Sequence, residues 1–230
     1  MLSQQFLSEI IWMFVLTFYA FFVIFLTKKL YEWMIDRRMK KSVAIYYNRK
    51  FIHIFAGGVV VLAVPFVFSS PWFPLFSGIV MAIITFFAHR SGNSFYWFQT
   101  KDNVSDVSFS LMWGIAIFIL WWMFNDPWIA IIPPAFIAFG DGITGIVRNI
   151  AFKERRKHPI GNIYMAGVCI PIGYYFASAG DPSIPLWGVF AAIVASFFER
   201  YEFGNIDDNV LVAGSAVIIL LVGATLGSVG

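Results

Sequence analysis

VLVAGSAVIILLVG, residues 210–223, carries no charge and shows no alternation of apolar with polar side chains. Two structures satisfy every backbone hydrogen bond inside a bilayer: a helix, and a closed β-barrel whose strands alternate apolar and polar residues. Without alternation the segment is a helix. Seven further apolar segments precede it, at about Ile10 to Thr27, Phe51 to Phe68, Trp72 to Ala88, Val107 to Phe124, Trp128 to Val147, Ile160 to Ser178 and Ile184 to Phe198. Each is close to the ~20 residues that a helix rising ~1.5 Å per residue needs to cross about 30 Å of hydrocarbon. The composition agrees, since 60% of the 230 residues are hydrophobic and 13% charged, against about 25% charged in soluble domains. The expected fold class is all-α: a polytopic helical membrane protein with about eight transmembrane helices.

The charges give an orientation. All sixteen Lys and Arg residues fall in Lys28 to Lys50, Arg90 to Lys101, Arg148 to Lys157 and Arg200, and these stretches alternate with connections that carry none. Basic residues are retained on the cytoplasmic side during insertion, so the N- and C-termini are expected outside. The outer turns SSP (69–71), NDP (125–127) and AGDPS (179–183) have ordinary turn composition, and Glu9, Asp126 and Asp181 are the only charges on that side. Trp72, Trp128 and Trp187 come after these turns at headgroup depth. The first segment lacks a basic start and a small-residue cleavage site, and reads as a retained anchor. Cys169 lies alone inside an apolar segment, so no intrachain disulfide forms. Two units are expected: residues 1–50 as an anchor helix with a basic cytoplasmic interfacial segment, and residues 51–230 as a seven-helix membrane catalytic domain. The basic stretch, with Tyr31, Trp33, Tyr46 and Tyr47 interleaved, suits a helix lying on anionic headgroups or a polyphosphate site.

Ten of the thirteen acidic residues and all three histidines share the basic side. Asp141, in AFIAFGDGITGIVRN, is an ionisable group near the end of an apolar helix, a placement that costs several kcal/mol unless a cation or water meets it. Gly140, Gly142 and Gly145 around it would loosen the backbone or let a ligand approach. Lys153, Arg155, Arg156 and Lys157 crowd the next loop, which suits a phosphate chain with its metal. No Walker A loop occurs, so a nucleotide would be held differently from the P-loop enzymes. Glu199, Glu202, Asp207 and Asp208, ahead of Asn209, form a carboxylate group that a hard divalent ion would neutralise. Arg49, Lys50 and His53 share one helical face.

At these residues the chain resembles the CTP-dependent lipid kinases, the family of dolichol kinase, phytol kinase and a diacylglycerol kinase. The likeness runs from about Arg49 to the end. It rests on Arg-Lys-x-x-His opening a helix (Arg49, Lys50, His53), Gly-Asp ending a later one (Gly140, Asp141), Lys before a Gly turn (Lys157, Gly161) and Asp-Asp-Asn opening the last (Asp207, Asp208, Asn209). Two departures stand out. The family's K-S-x-E-G-S loop is here Lys157, His158, Pro159, Ile160, Gly161, Asn162, and the Gly that usually comes after the Gly-Asp helix is Arg148. A missing loop Glu requires another carboxylate in its place if that Glu handles metal or nucleotide.

The resemblance implies transfer of the γ-phosphoryl group of CTP to the hydroxyl of a membrane isoprenoid alcohol of the dolichol or polyprenol type, with Mg2+ as cofactor. It implies Asp141 and Asp208 as magnesium ligands supported by Asp207, and Asn209 orienting a phosphate or a metal-bound water. Arg49, Lys50, Arg155, Arg156 and Lys157 would hold phosphates with His53 as a further donor, and Asp141 is the first choice to accept the alcohol proton. The expected partners are the nucleoside triphosphate, the lipid alcohol and the bilayer, with no nucleic acid. The implied location is the cell membrane of a prokaryote or the endoplasmic reticulum membrane of a eukaryote. A diacylglycerol kinase, a phosphatidate cytidylyltransferase, a transporter and a non-catalytic scaffold are the competing expectations.

Overall fold

The computed structural model describes residues 3–92, 95–100, 104–152, 157–204 and 206–227. Among them are seven helices long and apolar enough to cross a membrane: α1 (Gln4–Asp36), α2 (Lys41–Val67), α3 (Trp72–Arg90), α4 (Ser105–Phe124), α5 (Pro127–Phe152), α6 (Pro159–Ala179) and α8 (Asp208–Gly227). Between the last two lies a shorter apolar helix, α7 (Pro185–Phe198). Every apolar segment read from the sequence is thus a helix, and the chain is a helical, multi-spanning membrane protein. The seventh segment is 14 residues long, about 21 Å at the usual rise.

Local chemistry sets the helix ends. Pro127, Pro159 and Pro185 open α5, α6 and α7, where a missing N–H costs nothing. Asp126 caps α5 by accepting from the Ile129 N–H at 2.7 Å. His158 caps α6, its Nδ1 accepting from the Ile160 N–H at 3.2 Å. Asn125 ends α4 in the left-handed region, at φ 51°.

α5 is the hub, packed on α2, α4, α6, α7 and α8, while α1 and α3 lie at the periphery. Its first half, Ile129 to Ala138, supplies eight fully enclosed apolar residues, so this helix is hydrophobic all round, as a central helix must be. Close approach comes from small residues. A Cβ on Gly173 or Gly188 would strike the backbone of the other, so α6 and α7 cross at glycine contact, and Gly78 on Gly114 does the same for α3 and α4. Lipid tails offer helices no hydrophobic incentive to associate, and backbone-to-backbone packing of this kind supplies the van der Waals contact instead.

The turns at the end opposite the charges are tied together. Buried Glu9 of α1 accepts the Ser69 backbone N–H at 2.7 Å and the Ser69 hydroxyl. Asp126 accepts from the Asp181 N–H at 3.2 Å. These acids therefore fasten the connections, a role that turn composition did not reveal.

The basic stretch 28–50 is not one continuous helix. It is divided between the last turns of α1 and the first turns of α2, joined by a tight reversal in which Arg38 has φ 60°. Residue 50 lies inside α2, so the division expected after it falls within one continuous helix. Arg49 and Lys50 are 7% and 3% exposed, enclosed within the bundle. Beneath them the α3–α4 connection inserts Trp97 and Phe98. Trp97 Nε1 donates to the Ile24 carbonyl at 3.1 Å, and the buried Asn48 amide donates to the carbonyls of Trp97 at 3.0 Å and Thr27 at 2.7 Å.

Candidate functional site

Lys50 of α2 and Asp141 of α5 meet at the centre of the charged end. The Lys50 ammonium donates to both carboxylate oxygens, at 2.7 and 2.6 Å, and His53 Nδ1 lies 3.2 Å from Asp141 Oδ2. All three are at most 3% exposed. The fit depends on two π-helical turns, His53–Gly58 in α2 and Phe136–Gly140 in α5, which pack on each other. A π-turn adds a residue and rotates the rest of the helix about its axis; here one begins at His53 and the other ends just before Asp141.

The glycines near Asp141 have a different use from the one expected. A Cβ on Gly145 would collide with the methylene stem of Lys50, one on Gly142 with Ile54, and one on Gly140 with Cys169 and Met165. They make room for neighbouring side chains, above all for Lys50 to lie across α5, and the helix stays regular through Gly142 and Gly145.

A second set of charges comes from the other side. Lys157, just before α6, donates to Asp208 Oδ2 at 2.5 Å and to the Glu199 carbonyl at 2.9 Å, and lies 3.4 Å from Glu199 Oε1 and 3.3 Å from Glu202 Oε1. Burial pulls the Lys157 ammonium down, but Asp208 and Glu199 outweigh it and hold the group above its ordinary value. Glu199, which ends α7, is clasped by Arg148 of α5 through two hydrogen bonds of 2.7 and 2.6 Å. Both are 1% exposed. Arg148 occupies the space over Gly161, where a Cβ would meet its guanidinium. It also donates to the His158 carbonyl at 3.1 Å.

Carboxylate oxygens of Asp141, Glu199 and Asp208 lie within 4.8 Å of one another. Asp141 and Asp208, with Tyr46, Arg49, Lys50, Lys157 and Asn209, line a small cavity beside Glu199. Asn209 is buried, with its amide NH2 donating to the Ser105 carbonyl at 3.0 Å and to Ser108 Oγ at 3.1 Å, while its Oδ1 has no hydrogen-bond partner. Three carboxylates and an uncommitted amide oxygen are a hard-cation donor set. Lys50 and Lys157 neutralise it here.

Of the residues singled out from sequence, Lys50, His53, Asp141, Lys157, Asp208 and Asn209 come together, and Arg49 joins the cavity wall while lying 3.5 Å from Asp106. Arg155 and Arg156 lie outside the described residues. Asp207 is turned away from the carboxylate group. It accepts from Ser108 Oγ and caps α8 through the Val210 N–H at 3.2 Å, and burial pushes its carboxyl up against those bonds. Of the four acids grouped in sequence, Glu199 and Asp208 join Asp141, while two participants escaped the sequence reading as site residues: Arg148 as the clasp of Glu199, and Asp106 as the partner of Arg49. Arg148 had a signal, because Asp141, Gly145 and Arg148 at i, i+4 and i+7 share a helical face. Asp106 had none beyond being an acid in the first turn of an apolar helix.

No protein-family model matches this chain, and no curated protein or solved structure shows significant similarity to it.

Proposed function

We propose that the protein is a lipid kinase of the membrane interface, transferring the terminal phosphoryl group of a nucleoside triphosphate, CTP by its resemblance, to the hydroxyl of a membrane isoprenoid alcohol. The observation that carries this reading is the small charged cavity in which Arg49, Lys50 and Lys157 face Asp141 and Asp208, with Glu199 beside these two carboxylates, at one end of an apolar bundle. Phosphoryl transfer needs little covalent help from a protein; it needs positioning and neutralised charge. Arg49, Lys50 and Lys157 supply cations for a phosphate chain. Asp141, Glu199 and Asp208, with Asn209 Oδ1, would hold Mg2+, which when bound neutralises the phosphates. Glu199 then answers the departure in the loop after Lys157: the carboxylate that the loop lacks comes from the end of α7, held in place by the Arg148 that replaces a glycine.

Purified protein is expected to form a polyprenyl monophosphate from radiolabelled CTP, Mg2+ and a polyprenol, and CDP as the second product. Release of pyrophosphate instead identifies a cytidylyltransferase. Nucleotide-independent flux of a solute into vesicles identifies a transporter.

The same reading takes all eight helices as crossings, with the charged end cytoplasmic and both termini outside. α7, at about 21 Å, then crosses with its charged end recessed, which sinks Glu199 below the headgroups. A reporter fused after Gly230 should be accessible from outside in intact cells, and one at Lys40 only after permeabilisation. An inside C-terminus would mean that α7 does not cross.

A further inference from the structure

A cavity of about 890 Å³, counted to its open mouth, lies between α1, α2, α3 and α4. It is a slot. Its lining runs from Met13 to Ile24 on α1 and from Pro74 to Thr85 on α3, roughly 16 Å along each axis. Leu16, Ala20, Val60 and Met81 are typical of its walls, and Phe98, delivered by the α3–α4 connection, helps close the charged end. Two hydroxyls on the lining are already used, Thr85 donating to the Met81 carbonyl at 2.9 Å and Ser110 to the Asp106 carbonyl at 2.9 Å.

Asp106 and His53 are the ionisable groups among the lining residues. Both join the slot to the charged cavity, Asp106 through Arg49 at 3.5 Å and His53 through Asp141 at 3.2 Å. His53 is 2% exposed, stacks on Phe109 with 4.0 Å between ring centres, and keeps a buried Nε2 without a hydrogen-bond partner. An unpaired ring nitrogen in an apolar setting calls for a polar ligand atom. Asp141 has both oxygens committed to Lys50, whereas Asp106 meets its cation through one long contact.

We infer that the slot holds the chain of a single-chain membrane alcohol, its hydroxyl lying between His53 Nε2 and Asp106, and that Asp106 rather than Asp141 takes the hydroxyl proton. A long apolar slot with ionisable groups at one end matches a linear molecule with one polar head. The chemical step rests on the kinase reading; the chain site does not. In that step the alcohol O–H bond breaks and its proton passes to Asp106. The alcohol oxygen bonds to the terminal phosphorus, and the phosphorus bond to the bridging oxygen breaks, its electron pair leaving with the nucleoside diphosphate.

The test uses full-length protein in vesicles with a diazirine-bearing prenol and, in parallel, a diazirine-bearing diacylglycerol. The prenol should label the stretches around Ala20 and Ser77, most of that labelling should be lost in Ala20→Trp and Ser77→Trp, and unlabelled diacylglycerol should not compete. Labelling spread over the lipid-facing surface and unmoved by either Trp overturns the chain site; preferential labelling by diacylglycerol overturns the single-chain assignment. Asp106→Asn should keep the labelling and lose phosphate transfer, and wild-type turnover in that variant overturns the proton-accepting role. If no nucleotide yields a phosphorylated lipid even with wild-type protein, the kinase reading and the proton step fail together, while the labelling still decides the chain site.

Discussion

Asp141→Asn is expected to lower phosphate transfer from CTP by about a hundred- to a thousand-fold, the loss typical of removing one electrostatic group from a reaction site. It should also destabilise the protein by ~3–5 kcal/mol, because the buried Lys50 ammonium loses the carboxylate on which it is held. The two effects have different cures. Lys50→Met combined with Asp141→Leu removes both buried charges at similar volume, and such replacements are often neutral or stabilising. Thermal unfolding in detergent should therefore return close to wild type in the double variant while turnover does not. Mg2+ should raise the melting temperature of wild-type protein, as a ligand that binds the folded form does, but not that of either Asp141 variant. Turnover by the double variant would reduce Asp141 to a counter-ion for Lys50.

Much of this was legible in sequence, for a physical reason. Each span must be apolar over its full length, so VLVAGSAVIILLVG and its seven companions mark helices without ambiguity, and the placement of Lys and Arg marks which ends share a face. Rotation about each helix axis is the quantity that sequence does not carry. Asp141 stood out because an acid in an apolar helix needs a partner, but nothing in the spacing identified that partner as Lys50, because a π-turn at His53 and another before Asp141 reset the register of both helices. Asp207 and Asp208 are neighbours in sequence, and the start of α8 separates them: one caps the helix, the other faces Lys157. Glu199 looked like one acid among four in a polar turn. Its central place comes from Arg148, which appeared in sequence as a departure from a family pattern and in three dimensions is the clasp that fixes a carboxylate.

That clasp makes the second large prediction. Arg148→Ala or Glu199→Gln leaves one member of a 1%-exposed ion pair without its partner and should cost about 3–5 kcal/mol, read as a lower melting temperature in detergent. Arg148→Ala should be at the upper end of that range, since it also strips the His158 carbonyl of a donor and opens a void over Gly161. Replacing both residues by Met should recover most of the stability. The recovered protein then isolates the role of Glu199. If Glu199 is held by Arg148 in order to complete the carboxylates of Asp141 and Asp208, the double variant is stable, inactive and no longer stabilised by Mg2+. If it is stable and turns over, Glu199 serves only to neutralise Arg148, and the carboxylate replacing the family's missing loop Glu must be sought elsewhere on this face, with Glu202, 3.3 Å from Lys157, an acid placed to supply it.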